Sequence, residues 1–140
     1  MANKLDLLKP RVKRLTLKLL EECKSNGIGI IITQTLRTTE EQNRLYASGR
    51  TRPGKIVTNA RGGYSFHNFG VAFDFCPVVR GEAVWNDLKL FEKVGKMGKS
   101  LGLEWGGDWK SFPDRPHFQF TAGYSLEDFR KNKIDQNKFI

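Results

Sequence analysis

Ser65-Phe-His-Asn-Phe-Gly-Val-Ala-Phe-Asp74-Phe-Cys76 is the stretch that decides how this chain folds and what it can hold. Its second half reads as a β-strand, because Val71, Phe73 and Phe75 alternate with Ala72, Asp74 and Cys76, and successive strand side chains point to opposite faces. The bulky face belongs against a helical core, and the face carrying Asp74 belongs in a site. Six residues separate His67 from Asp74, and the second of the chain's two histidines follows in Asp114-Arg-Pro-His117-Phe. Two imidazoles and one carboxylate are a suitable protein ligand set for a catalytic zinc, with the fourth position open to water. A lone histidine is more often a structural hydrogen-bonder; two histidines, each at a meaningful spacing from an acid, point to metal. Asp114, three residues before His117, lies close to that water without being needed as a ligand. It is the candidate general base, although Asp-Arg-Pro is also good turn chemistry in its own right.

Outward from this stretch the chain reads as alternating helices and short strands. Val12, Leu15, Leu19, Leu20 and Cys23 fall at helical spacing from Pro10 to Ser25, with Pro10 tolerated in the first turn and Gly27 as a stop. Ile28 to Gln34 is β-branched and short, a buried strand that delivers Arg37 to its end. Thr38 or Thr39 caps a helix running to about Ser48, and Gly49 to Gly63 is a long loop of the kind that often carries function. Asn86 or Asp87 caps a helix with Leu88, Phe91, Val94 and Leu101 on one side, in which Gly95 and Gly98 permit close packing. Leu103 to Trp109 is a Gly/Trp-rich strand or turn. His117 to Phe120 is a short strand with His117 and Gln119 on one face, and Ser125 caps a last helix. Residues after about Asn132 read as a polar tail. The expectation is one α+β domain spanning 1–140, with a mainly antiparallel sheet and no separate binding domain.

Composition sets further bounds. A length of 140 residues suffices for one buried core, and no apolar run reaches the roughly 18 residues of a membrane span. The first residues lack the apolar stretch of a signal peptide, so the chain is expected to be made in the cytoplasm without its own export signal. A net charge of +9 favours polyanions. The basic residues are dispersed rather than interleaved with aromatics, so no nucleic acid partner is expected, and a wall rich in phosphate and carboxylate fits as well. Cys23 and Cys76 read as reduced, with Cys76 a small buried residue.

Hydrolysis also needs a positive charge at the oxyanion. Arg37 is a candidate, with a surface salt bridge as an equally good explanation of it. Taken together, Ser65-x-His67-x-x-Gly70-x-Ala72-x-Asp74, Trp105-Gly-Gly-Asp-Trp109, Asp114-x-Pro116-His117-Phe118 and Gln34-x-x-Arg37-x-x-x-Glu41-Gln42 resemble the LAS (M15-type) zinc metallopeptidases. The resemblance covers roughly Ile28 to Phe120. It implies a hedgehog/D,D-peptidase-like fold, Zn2+ on His67, Asp74 and His117, Asp114 as general base and Arg37 polarising the scissile carbonyl. Ser65 and Gln42 would contact substrate. Within the group the chain looks most like a phage endolysin catalytic domain, a monomer cutting the L-Ala–D-Glu bond of the peptidoglycan stem peptide and reaching the wall through holin pores. The alternatives are a D-alanyl-D-alanine carboxypeptidase or dipeptidase with the same zinc site, and a non-enzymatic hedgehog-like or polyanion-binding module. A metal-dependent nuclease is the weakest reading.

Overall fold

A computed structural model describes residues 4–140. Helix α1 (Pro10–Ser25) leads to strand β1 (Gly29–Gln34) and helix α2 (Thr39–Ala47). After the long loop come β2 (Ala72–Val79), β3 (Glu82–Ala83), α3 (Leu88–Ser100), β4 (Glu104–Trp105), β5 (His117–Gln119) and α4 (Leu126–Arg130). The sheet is antiparallel throughout, in the order β1-β2-β5-β4, with β3 paired to the end of β2. The α+β expectation holds.

Residue chemistry explains the elements. Val12, Thr16, Leu19 and Cys23 form the buried stripe of α1, and the Thr16 hydroxyl is satisfied by donating to the Val12 carbonyl at 2.8 Å. Thr38 and Glu41 close a reciprocal capping box on α2, and Ser125 and Asp128 close another on α4. Asp87 caps α3. The face of β2 read as bulky is the centre of the core: Phe75 stacks on Phe118 at 5.1 Å and packs at a tilt on Phe91 at 5.2 Å, and Phe73 meets Phe118 at 5.5 Å. Cys23 and Cys76 are both free and buried.

Helix α3 reaches this core through its two glycines. A Cβ at Gly95 would enter the Trp105 indole, and one at Gly98 would enter the Phe118 ring. Gly98→Ala is therefore expected to destabilise the protein by about 1–3 kcal/mol, because overpacking outweighs the ~1 kcal/mol gain in helix propensity. Urea denaturation checks this, and an unchanged midpoint would contradict it.

Two expectations need correction. The stretch after Asn132 is no loose tail: Gln136–Phe139 forms a short 3-10 turn, and Phe139 is buried against Phe120, Tyr124 and Phe129. One anchor among polar residues gives no periodicity, which is why the pattern hides it. Strand β2 also runs past Cys76 and turns at Arg80 and Gly81, both with positive φ (54° and 80°), to form the hairpin with β3.

Candidate metal centre and catalytic cleft

Strand register assembles the site. Gln34 of β1, Asp74 of β2 and His117 of β5 are consecutive cross-strand partners, so they form one row across the sheet. A bulge between Ile32 and Gln34 resets β1 just before this row. His67 arrives from a single 3-10 turn, Phe66–Phe69, capped by Ser65. That turn is tied to the end of β1: the Arg37 N–H donates to the His67 carbonyl at 2.9 Å, and the Asn68 amide donates to the Arg37 carbonyl at 2.8 Å.

One oxygen of Asp74 faces both imidazoles, 3.1 Å from His67 Nε2 and 3.3 Å from His117 Nδ1. The three ligand atoms lie within 4.8 Å of one another, and both histidines are buried. Tetrahedral zinc with ligands at about 2.0–2.1 Å would separate them by about 3.3 Å, so the two spacings from Asp74 to the imidazoles fit. The outward ring nitrogens are committed elsewhere. His67 Nδ1 sits 2.9 Å from the Thr35 carbonyl, and His117 Nε2 sits 2.8 Å from Gln119 Oε1. Each contact requires a proton on that nitrogen, so a neutral ring can offer its other nitrogen to a metal ion, whereas a protonated ring donates from that nitrogen to Asp74. Gln119 is held in turn by donating to Glu104 at 2.9 Å. Gln119→Leu is thus expected to weaken metal affinity about 10–100-fold; competition against a chromogenic chelator measures it, and unchanged affinity would remove Gln119 from this role.

Burial would raise the Asp74 carboxyl, but hydrogen bonds from His117 and His67 overcome it and hold the group well below the usual carboxylate range. Burial likewise opposes charge on His117, yet the adjoining Asp74 raises it overall. The site is thus prepared for positive charge.

Around this centre the cleft is lined by Ser65, Tyr64, Trp109, Asp114, Arg37 and the loop residues Val57, Thr58 and Ala60. Asp114 Oδ2 lies 4.0 Å from His117 Nδ1, with the Asp114 side chain 48% exposed. Partial desolvation raises its carboxyl pKa despite nearby His117. The turn that presents it depends on Gly106, whose carbonyl accepts from the Asp114 and Trp109 N–H groups, and where a Cβ would strike the Asp114 backbone. Trp105 Nε1 donates to the Arg115 carbonyl at 2.8 Å and pins the same turn.

Arg37 lies behind Asp74, Nη2 to Oδ2 at 3.7 Å, and donates through Nη1 to Gln42 Oε1 at 2.8 Å. Its Nε–H is buried without a partner among the described residues. Ser65 Oγ accepts from the His67 N–H, so its own hydrogen is free to turn into the cleft. Gln42 stands apart from the other expected site residues. It is fully buried and joins Arg37 to the loop by donating to the Ala60 carbonyl at 2.7 Å. It has no exposed surface to offer a substrate, and it positions Arg37. The pattern of Gln119 two residues after His117 on one strand face carried the signal for the partner of His117. The Thr35 carbonyl, a backbone group, left none.

This donor set, on this sheet, could hold a metal ion. A family model described as D-alanyl-D-alanine carboxypeptidase matches residues 58–120. The chain is 41% identical to the peptidoglycan L-alanyl-D-glutamate endopeptidase CwlK of Bacillus subtilis, over 80% of this chain and 72% of that protein. It is 37% identical to the L-alanyl-D-glutamate peptidase of Listeria phage A118, over 86% of this chain but 41% of that protein. Among solved structures, the L-Ala D-Glu endopeptidase ChiX of Serratia marcescens superposes with a TM-score of 0.58 at 25% identity, covering 84% of both chains. The D,D-pentapeptidase VanY, solved as an E175A mutant with Zn(II), shares the fold at a TM-score of 0.63 and 13% identity, over 94% of this chain and 83% of that one. The chain belongs to peptidase family M15.

Proposed function

We propose that this protein is a zinc-dependent peptidoglycan hydrolase that cuts the L-Ala–D-Glu bond of the stem peptide. The observation that carries the reading is the His67–Asp74–His117 centre, with Asp114 at its rim, in a chain 41% identical over most of its length to an enzyme named for that bond. Two of its relatives are phage peptidases, which supports a lytic role at the wall.

His67 Nε2, Asp74 Oδ1 and His117 Nδ1 would hold the ion. When bound, it supplies Lewis acidity toward the scissile carbonyl and toward a water molecule. Asp114 takes the proton released as that water adds to the carbonyl carbon, and returns it to the leaving amine as the C–N bond breaks. The raised Asp114 pKa suits both halves of that transfer. The Arg37 guanidinium balances the negative charge gathering on the carbonyl oxygen; Gln42 keeps it oriented. The free Ser65 O–H donates to the substrate backbone.

A turbidity assay on purified cell walls tests the reading. Chelation is expected to abolish clearing, and stoichiometric zinc to restore it. Clearing that survives complete chelation would overturn the metal-dependent account. Consumption of free D-Ala-D-Ala at a comparable rate would move the assignment to the dipeptidase class.

A further inference from the structure

Beside the catalytic cleft runs a second groove of about 690 Å3, lined by Gln34, Glu41, Leu45, Ser48, Pro53 and three arginines, Arg37, Arg44 and Arg52. Arg37 and Val57 line both cavities, so the groove adjoins the cleft that holds the metal centre. Leu45, Pro53 and Val57 give it apolar surface, and the three arginines give it a cationic one. Its one carboxylate, Glu41, is engaged in capping α2 by accepting from the Thr38 N–H.

The arginines of this region divide by what the fold asks of them. Arg50 is structural: it donates to the Tyr46 and Thr58 carbonyls and lies over the Tyr46 ring at 4.0 Å. Arg37 is held by Gln42 and Asp74. Among the described residues, neither Arg44 nor Arg52 has a carboxylate within ion-pair distance or a side-chain hydrogen bond. The backbone nonetheless fixes where Arg52 starts, since its N–H donates to Ala47 and its carbonyl accepts from Gly49, both at 3.0 Å. Two guanidiniums that line one groove without an ion pair or side-chain hydrogen bond, Arg44 feeling Glu41 only at longer range, suit a planar carboxylate, which an arginine fork can bind through two hydrogen bonds.

We infer that this groove is a subsite for a carboxylate of the peptide substrate, with Arg44 and Arg52 as its specificity-determining residues. The inference rests on the stem peptide being the substrate. That peptide offers two such groups near the cut bond: the free α-carboxylate of the γ-linked D-Glu, and the side-chain carboxylate of a third-position diaminopimelate. Lysine carries the same side-chain ammonium as diaminopimelate but lacks the carboxylate beside it, so in that position it would leave the arginines without this partner.

Three synthetic stem peptides separate the cases: the parent with free D-Glu and diaminopimelate, its α-amide, and its lysine counterpart. Wild-type protein is expected to cut the parent about tenfold faster in kcat/KM than the peptide missing the recognised carboxylate. The Arg44→Gln/Arg52→Gln double variant is expected to lose that preference, with bound metal unchanged. Which peptide is disfavoured names the carboxylate. A Lys89→Gln/Lys93→Gln variant on α3 removes the same net charge outside the groove and is expected to keep the preference. Equal rates on all three peptides in wild type, or an unchanged preference in the arginine variant, would overturn the subsite. Should the wild-type protein cut none of them, the proposed reaction fails, and calorimetric binding of the parent peptide then decides the groove. Weaker binding to the arginine variant supports it, and equal binding rejects it.

Discussion

Asp114→Asn is expected to lower kcat by about 10²- to 10⁴-fold while bound zinc and the melting temperature stay unchanged, because positioned proton transfer contributes on that scale. The substitution keeps the shape of the side chain and removes only its capacity to take a proton. Asp114 stands outside the cluster of His67, Asp74 and His117: its oxygen lies 4.0 Å from His117 Nδ1, whereas Asp74 lies at 3.3 Å. Metal content measured beside turnover therefore separates the base from the ligands. A base works only when deprotonated, and partial desolvation raises the Asp114 carboxyl above the ordinary value of an aspartate. The acid limb of kcat/KM is accordingly expected to lie at higher pH than an ordinary aspartate would set, and to disappear from the residual activity of Asp114→Asn. Retained turnover in this variant would remove Asp114 from the role.

His117→Ala is expected to lose both metal and activity, the latter by about 10³-fold or more, since the Lewis acid goes with the ligand. It removes one corner of the ligand set and frees Gln119 and Asp74 from their shared partner. Elemental analysis and turnover together read the outcome. A variant that keeps stoichiometric metal and full turnover would show that the ion, if catalytic, is held elsewhere. The control is Gly98→Ala, which strains the same strand at Phe118 and is expected to cost stability without costing metal.

Why the site was so legible lies in strand physics. A period of two put Asp74 on the face opposite Phe73 and Phe75, and the same period put Gln119 beside His117. Antiparallel pairing then brought Asp74 directly across from His117. Capping chemistry was readable to within a residue: Thr38 or Thr39 resolves to Thr38, Asn86 or Asp87 resolves to Asp87, and Ser125 caps α4 as read, because local side-chain-to-backbone bonds need only short-range pattern. Long-range consequences were less visible. Gln42 sits in a motif beside Arg37 whose family resemblance implies a substrate contact, yet it is completely buried and bonded to Ala60 of the loop from Gly49 to Gly63. Phe139 reads as one apolar residue in a polar terminus, and only the aromatic cluster of Phe120, Tyr124 and Phe129 gives it a place. In both cases the deciding partner is distant in the chain.

The most direct measurement is the chemistry of the new ends. Digestion of purified peptidoglycan, followed by labelling and hydrolysis of the freed amino termini, is predicted to yield D-Glu as the new amino-terminal residue, in amounts that rise with digestion. Release of free D-Ala with no D-Glu terminus would contradict the assignment and place the cut at the other end of the stem peptide.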